Sequence, residues 1–122
     1  MELQVIGQDF SVCKLADLSQ VDFSEEYCFL GKTDQELSLV CRTDHVPTNT
    51  VEREDGWRAF RIQGVLDFSL IGSLSKISAL LAEQSIGICA VATYNTDYIL
   101  TKAEYLEKAL SALAQAGYTI FR

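Results

Sequence analysis

The chain has 122 residues, 48% of them hydrophobic and 22% charged, and its formal net charge is −7. This length favours one compact domain, or two very small units that share a core, and no apolar run approaches the roughly 20 residues of a membrane-spanning helix. The negative charge disfavours nucleic-acid binding, which depends mostly on Lys and Arg that neutralise phosphates.

The cysteines and the N-terminal residues indicate the compartment. Residues 1–8 have neither the basic region nor the apolar core of a signal peptide, so we expect a cytoplasmic protein. No C-x-x-C pair occurs, and each cysteine has apolar or β-prone neighbours: Cys13, Cys28, Cys41 and Cys89. We expect reduced thiols that pack as small hydrophobes. His45 has no metal-ligand spacing around it, so no metal, cofactor or catalytic role is expected there.

The first half of the chain predicts strands with little helix. Phe10–Leu15 is a predicted strand, and a polar connector comes after it. Cys28–Gly31 and Glu36–Arg42 flank a polar turn, and alternating apolar residues in the second run indicate a hairpin. Thr43–Asp55 contains Pro47 and has no apolar period, which predicts a short turn or helix and then a loop.

The second half of the chain predicts strands that alternate with helices. Trp57–Gln63 is a strand that ends at Gly64, and apolar residues at helical spacing then predict an amphipathic helix that starts at Leu70 and ends at Gln84 or Ser85. Ile86–Ala92 has enough apolar residues for a central strand. These elements bring a strand-to-helix loop beside a polar hairpin, which outlines a small-ligand site.

A second helix and a last strand complete the pattern. Thr101 and Glu104 form a T-x-x-E capping box. The helix after it has an inner stripe of Leu106, Ala109, Leu110 and Leu113. Gly117 is placed to end this helix, and Tyr118–Phe121 is the closing strand. The second half therefore predicts an α+β fold with the ferredoxin-like βαββαβ order, an antiparallel sheet with helices on one face.

A weak internal repeat indicates duplication. A shift of 61 residues places Phe29–Leu39 on Ala90–Leu100, with Glu36 over Asp97. We therefore predict a tandem arrangement in which residues 1–55 form an abbreviated copy and residues 56–122 a complete one. Because about 60 residues are too few for comfortable independent stability, the copies are expected to share one core.

Three stretches carry a family resemblance: Gly56–Arg61, Val65–Leu70 and Thr93–Leu100. They resemble bacterial tandem ACT-domain proteins, and also the ACT repeats of aspartate kinases and of the mammalian cytosolic arginine sensor. The likeness extends over nearly the whole chain. It implies an ACT regulatory module that binds a small molecule, typically an amino acid, and that pairs side by side as a homodimer.

The resemblance also implies a ligand site at the strand-to-helix loop and the adjacent hairpin. One wall is then Gly64, Asp67, Phe68, Ser69 and Leu70, and the other is Ala90, Val91, Thr93, Thr96 and Asp97. Physical chemistry agrees with this site, because main-chain N–H groups at a helix start attract a carboxylate and an Asp attracts an ammonium group.

Each of these residues also has a purely structural explanation. Asp67 or Ser69 is a typical N-cap, Asp97 is a typical hairpin residue, and Gly64 allows a tight turn. Phe68 is typical of a core.

Two alternatives to the amino-acid sensor remain open. One is a protein-interaction module whose ligand site is degenerate. The other is an enzyme of the acylphosphatase type, which Gln63–Phe68 superficially resembles, although Ser69 stands where the phosphate-binding arginine would be. Because no nucleophile and base are paired in the sequence, we expect no catalysis.

Overall fold

The computed structural model describes residues 1–63 and 72–122. They form two compact units: a larger unit made of Met1–Gly7 and Arg58–Arg122, and a smaller unit, Gln8–Trp57. The smaller unit is thus inserted in the chain between two segments of the larger one, whereas the sequence predicted a single division after Asp55.

Nine elements define the described chain, apart from two short 3₁₀ turns. They are β1 (Glu2–Leu15), β2 (Cys28–Lys32), β3 (Leu37–Arg42), β4 (Thr50–Ile62), α1 (Ser73–Glu83), β5 (Ile88–Ala92), β6 (Asp97–Lys102), α2 (Leu106–Gln115) and β7 (Thr119–Phe121). From β4 onward the order is strand, helix, strand, strand, helix, strand, as the sequence predicted. None of the described helices has the length and apolar character needed to cross a membrane.

In the larger unit the strands are arranged in the order β7, β1, β4, β6, β5. Strand β7 runs parallel to β1, with Leu3 opposite Ile120, and β5 is antiparallel to β6. The predicted stripe of α2 is confirmed, because Leu106, Ala109, Leu110 and Leu113 are all buried in one core cluster. Helix α1 contributes Ile77 and Leu81 to the same cluster.

In the smaller unit the order is β2, β3, β1, β4. One of its core clusters consists of Cys13, Leu15, Leu39 and Cys41, with Cys28 among the half-buried side chains around it, and Phe10 and Val40 are buried as well. All four cysteines carry free thiols. A hydrogen bond between the thiols of Cys13 and Cys41 lowers the pKa of Cys13 and raises that of Cys41. The 3₁₀ turn Thr43–His45 is the only helical element of Gln8–Trp57, every residue of which is described.

Two strands are longer than predicted. Strand β1 begins at Glu2 instead of Phe10, and Thr50–Asp55 belongs to β4 instead of a loop. The early part of β4 is exposed on both faces, so main-chain pairing forms it and no apolar alternation marks it in the sequence. Strand β5 was predicted to be central and lies at the end of the strand order.

Both helix starts differ from the prediction. Helix α1 begins at Ser73 and not at Leu70, because Gly72 has a left-handed φ of 91° and serves as its N-cap. The capping box is wrong: Thr101 lies in β6, and Tyr105 is the N-cap of α2 without a side-chain capping bond. The predicted end of α2 is confirmed, since Gly117 has a φ of 103° and the N–H groups of Gly117 and Tyr118 close a Schellman motif.

Candidate functional site

The turn between β5 and β6 is closed by two threonines. The N–H and the hydroxyl of Thr93 both donate to the carbonyl of Thr96 at 2.8 Å. The Thr96 N–H donates back to the Thr93 hydroxyl oxygen at 3.3 Å. Three hydrogen bonds between two residues fix the shape of this turn.

The same turn is fastened to the end of β4. The Thr96 hydroxyl donates to the carbonyl of Ile62, the last residue of β4, at 2.7 Å, and only 9% of Thr96 is exposed. The hairpin is therefore held beside the point where the chain leaves β4. The strand-to-helix loop that the sequence predicts beside this hairpin lies outside the described residues.

The predicted site residues divide into two groups. Gly64, Asp67, Phe68, Ser69 and Leu70 lie outside the described residues. The others lie together on the hairpin: Ala90 and Val91 on β5, Thr93 and Thr96 in the turn, and Asp97 as the first residue of β6. Because side chains alternate along a strand, Ala90 and Val91 face opposite sides of the sheet, so only one of them can line any single pocket on a sheet face.

The described part of this site offers hydrogen-bond acceptors. The hydroxyl protons of Thr93 and Thr96 are already donated within the unit, which leaves their oxygens as acceptors. The half-buried carboxylate of Asp97 has no hydrogen-bond or ion-pair partner among residues 1–63 and 72–122. These acceptors could take hydrogen bonds from an ammonium group of a ligand.

The hairpin of the smaller unit has the same construction. Its Thr33 N–H donates to the carbonyl of Glu36 at 3.0 Å, and the N–H of Glu36 donates to the Thr33 hydroxyl at 3.2 Å. Thr33 thus corresponds to Thr93, and Glu36 to Thr96, sixty residues further along. The predicted shift of 61 residues is wrong by one.

A cavity of about 450 Å³ lies beside this hairpin. It is lined by Ala16, Asp17, Leu18, Lys32, Thr33, Glu36 and Leu37. Asp17 accepts from the N–H and the hydroxyl of Ser19 at 2.9 and 2.5 Å, and these bonds hold the pKa of its carboxyl below the ordinary 3.8. The cavity thus lies between the exit of β1 and the hairpin. Its lining contains acidic, basic and apolar side chains.

The sequence did not predict this cavity, although a signal was present. Asp17, Leu18 and Ser19 come after a strand in the same acid, apolar, serine order as Asp67, Phe68 and Ser69. No helical period marks residues 16–27, so only a connector was expected there.

One stretch of the chain matches a known family. Residues 52–115 match the family model described as the ACT domain. The chain belongs to the ACT domain family. Among curated proteins there is no match.

Solved structures similar to this ACT protein agree with the fold. Protein Atu0741 of Agrobacterium tumefaciens is 28% identical with a TM-score of 0.86, covering 98% of this chain and 91% of that one. VC0802 of Vibrio cholerae, described as a possible transport protein of unknown function, is 19% identical with a TM-score of 0.74, covering 93% and 88%. The ligand-free regulatory subunit of aspartate kinase from Thermus thermophilus is 13% identical with a TM-score of 0.65, covering 94% and 96%.

A charged cluster in the smaller unit of the ACT protein was not expected. Ligand atoms of Asp22, Glu25 and His45 lie within 4.8 Å of one another, and His45 Nδ1 is 3.1 Å from Glu25 Oε1. Arg42 Nη1 lies 3.9 Å from the other oxygen of Glu25. Because a guanidinium group beside Glu25 opposes a metal cation, we interpret the cluster as an ion-pair network.

Proposed function

We propose that this ACT protein is a non-catalytic regulatory module that binds a small α-amino acid between the exit of β4 and the β5–β6 hairpin. The observation that carries the proposal is the hydrogen bond from Thr96 to Ile62, because it holds the hairpin against the strand exit. Membership of the ACT family supports it. The regulatory subunit of aspartate kinase among the similar structures favours a regulatory role.

The proposed ligand lies with its ammonium group toward Asp97. In this proposal the oxygens of Thr93 and Thr96 add acceptors, and the opposite wall is the sequence-predicted group of Gly64, Asp67, Phe68, Ser69 and Leu70. Main-chain N–H groups of that loop take the carboxylate. A zwitterion matches such a site better than an ion of one sign.

The proposal includes a duplicated plan with an abbreviated first copy. Matching turns at Thr33 and Thr93 support it, as do strands β3 and β6, which have the same length and the same sequence of half-buried and buried positions. On this view residues 1–55 and 56–122 derive from two ACT-like copies. The cavity beside Asp17 is then the counterpart of the proposed ligand site.

Calorimetry against the twenty amino acids tests the binding proposal. We expect one small group of amino acids to give heat with ligand-free protein, and Asp97→Asn to weaken binding about tenfold or more, because a charge-assisted bond to the ammonium group is lost. Asp34→Asn is the matched control, since Asp34 is exposed in the turn of the smaller hairpin. If no amino acid gives heat, the proposal fails.

A homodimer through a sheet edge is part of the same proposal. Strand β5 ends the strand order, and Ala90 and Ala92 on it are exposed. Small side chains on an edge with which no other described strand pairs would allow a strand of a second copy to approach. Light scattering should give twice the mass of 13.6 kDa, and Ala92→Pro should reduce it to the monomer value.

One observation favours a second candidate, an interaction module with a degenerate ligand site. The hydroxyl protons of Thr93 and Thr96 are used within the unit, so these two side chains have no free donor to offer a ligand. In that case a stoichiometric partner should co-purify from the source cell, and Asp97→Ala should leave the complex intact.

A further inference from the structure

Three thiols form a row across one face of the sheet in the smaller unit. Cys13 lies on β1, Cys41 on β3 and Cys28 on β2, and β3 is the neighbour of both other strands. Cys41 is paired with Cys28, and Cys13 is paired with Leu39, two residues from Cys41. Because side chains alternate along a strand, all three thiols point to the same face. We call these three residues the thiol row.

Cys28 and Cys41 occupy a position at which antiparallel strands can carry a disulfide. Opposed pairs in such a hairpin alternate between hydrogen-bonded and non-hydrogen-bonded. The pair of Thr33 and Glu36 at the turn is hydrogen-bonded, since the Thr33 N–H donates to the Glu36 carbonyl at 3.0 Å. Cys28 and Cys41 lie five pairs further along and are therefore a non-hydrogen-bonded pair. The Cα atoms of such a pair are about 4.5 Å apart, within the roughly 4.4 to 6.8 Å that a disulfide spans.

Cys13 is the thiol of the row that ionises most readily. The hydrogen bond from the Cys41 thiol lowers its pKa, burial raises it, and the charges of Arg53 and Asp55 act in opposite directions, with a net lowering. Cys13 is only 3% exposed, yet it lines a cavity of about 390 Å³. A peroxide molecule is little larger than a water, which takes up about 30 Å³, so the cavity admits it. The thiolate is the form of cysteine that reacts with such an oxidant.

The charges around this cavity favour an uncharged oxidant. Two cationic and three anionic side chains line it: Lys14, Arg53, Glu36, Glu52 and Glu54. An anionic reagent would meet more negative than positive side chains, whereas a neutral hydroperoxide is not repelled. A hydroperoxide is therefore the class of substrate that this cavity suits.

The other two thiols of the row differ from Cys13 in acidity. The hydrogen bond with Cys13 and then burial raise the pKa of Cys41. Burial, and after it the carboxylates of Asp22 and Glu25, raise the pKa of Cys28. In thiol–disulfide exchange the thiol of lower pKa leaves more readily. A bond between Cys13 and Cys41 should therefore yield to one between Cys41 and Cys28.

We propose that a hydroperoxide oxidises the thiol row at Cys13 and that the product is a disulfide between Cys28 and Cys41. The Cys13 thiolate attacks a peroxide oxygen, the O–O bond breaks, and a sulfenic acid forms while the departing hydroxide takes a proton and becomes water. The Cys41 sulfur then loses its proton, attacks the Cys13 sulfur and displaces the sulfenic oxygen as a second water. The Cys28 sulfur finally attacks Cys41 and displaces the Cys13 thiolate, which takes up the proton that Cys28 loses. One hydrogen peroxide and two thiols thus give one disulfide and two waters.

This disulfide would restrict the hairpin of the smaller unit. Strand β2 ends the strand order, so β3 is its neighbour in the described sheet. The ring closed from Cys28 to Cys41 contains Lys32, Thr33 and Glu36, which line the cavity beside Asp17. Oxidation should therefore fix the shape of that cavity and raise the melting temperature of the protein, because the unfolded chain is constrained.

Peptide mapping after oxidation tests the proposal on the full chain. Trypsin cuts after Lys and Arg, which places the four cysteines on four different peptides: 1–14, 15–32, 33–42 and 77–102. The protein is treated with hydrogen peroxide at neutral pH in the presence of a metal chelator, and the remaining thiols are blocked with iodoacetamide. We expect peptides 15–32 and 33–42 to be linked, and the free thiols per chain to fall from four to two. Dithiothreitol should restore all four.

Two variants and a matched control assign the roles of the thiols. Cys13→Ala should slow formation of the disulfide by about tenfold or more, because the two remaining thiols of the row are largely protonated. Cys28→Ala should give a disulfide between Cys13 and Cys41 instead. Cys89→Ala, the control in the larger unit, should react as the parent does. Mapping of the parent protein needs no substitution, so it decides the product even where a variant folds poorly.

Three results would overturn the proposal. One is peroxide treatment of the parent that links no peptide 15–32 to 33–42. Another is an equal rate of disulfide formation in the parent and in Cys13→Ala, which would remove Cys13 as the point of attack. The third is a disulfide between two chains, seen as a doubled mass on a non-reducing gel. Because no amino acid is present in these reactions, their outcome is independent of the calorimetry on the proposed amino-acid site.

Discussion

The hairpins β2–β3 and β5–β6 share their turn geometry, yet they lead into different elements. Strand β6 leads through a 3₁₀ turn into α2, whereas β3 leads through an equivalent 3₁₀ turn, Thr43–His45, into the strand β4. The residue before each 3₁₀ turn has nearly the same conformation, with φ and ψ of −59° and 141° at Arg42 and of −60° and 141° at Lys102. The two chain paths separate only after the turn.

Pro47 accounts for the point of separation. Val46 precedes it and is extended, with φ of −63° and ψ of 126°, whereas its counterpart Leu106 is helical, with φ of −57° and ψ of −50°. A residue before proline is driven out of the helical region by a clash with the proline ring. Pro47 thus excludes helical backbone at Val46, and the β-branched and polar residues after it have no apolar stripe that would favour a helix.

The largest difference between the two units should appear in their cores. Leu113→Ala removes a fully buried side chain from the large cluster under α2 and should cost about 3–5 kcal/mol. Leu39→Ala affects the small cluster of the smaller unit and should cost about 2–3 kcal/mol, because fewer neighbours lose contacts. Urea unfolding of both variants measures this. A larger cost for Leu39→Ala would reverse the ranking of the two cores.

We expect the hydrogen bond from Thr96 to Ile62 to contribute to the free energy of unfolding, whereas the corresponding residue of the smaller unit, Glu36, should contribute little. Thr96→Val leaves the Ile62 carbonyl without its donor and should cost about 1–2 kcal/mol. The counterpart Glu36 is exposed and accepts from Ser38, so Glu36→Gln should change stability by less than about 0.5 kcal/mol.

Thr101→Val is the control for this comparison. The Thr101 hydroxyl is buried and has no partner within residues 1–63 and 72–122, so its removal should be neutral or stabilising. A cost for Thr101→Val equal to that of Thr96→Val in urea unfolding would show that loss of any threonine from this region is harmful.

Replacing the proline separates its own effect from that of the residues after it. Pro47→Ala should lower stability by about 0.5 kcal/mol, because the unfolded chain becomes more flexible. Helical signal in far-UV circular dichroism should not rise, since residues 48–52 have no apolar stripe to pack. A gain of about one helical turn would mean that the proline alone prevents a second helix.

The smallest effect concerns a carboxylate at the cavity of the smaller unit. Ser19→Ala should raise the pKa of Asp17, whose lowering comes first from the bonds that Ser19 donates. In the parent protein the stabilising contribution of Asp17 is present above its unfolded pKa and lost as the pH falls through the lower folded pKa; in the variant it is reduced. Carboxyl titration by NMR measures this.

Ser24→Ala is the matched control for the titration. Ser24 bonds to Asp22 in the same way that Ser19 bonds to Asp17, at 3.0 and 2.6 Å. It should raise the pKa of Asp22 and leave that of Asp17 unchanged. A shift at Asp17 in the control would show that the two turns are coupled.

Elements with a strong local signature were predictable from the sequence. The apolar stripe of α2 and the glycine that ends it, Gly117, result from helical spacing and from the left-handed conformation that glycine allows. The hairpin around Thr93 is marked by polar turn residues between two apolar runs. The hydrogen bond from Thr96 that holds this hairpin beside the end of β4 was not predicted.

Features that depend on pairing between distant segments were not predictable. Thr50–Asp55 is exposed and charged, so only its neighbours in the sheet make it a strand. Helix α1 starts late because Gly72 interrupts a stripe that Leu70 and Ile71 extend in the sequence. A pocket lined by Met1, Ser73 and Tyr118 brings together the first, middle and last parts of the chain, and no short motif in the sequence marks it.

The route of the chain through β1 and β4 has a consequence for engineering. These strands are neighbours, the N–H of Gln63 donates to the carbonyl of Glu2, and the Arg58 guanidinium reaches the carbonyl of Ile6. Gly7 and Arg58 are thus the natural splice points, and a tight linker between them would retain every buried residue of the large cluster. We therefore expect that a different domain inserted in place of Gln8–Trp57 would leave the core of the larger unit intact.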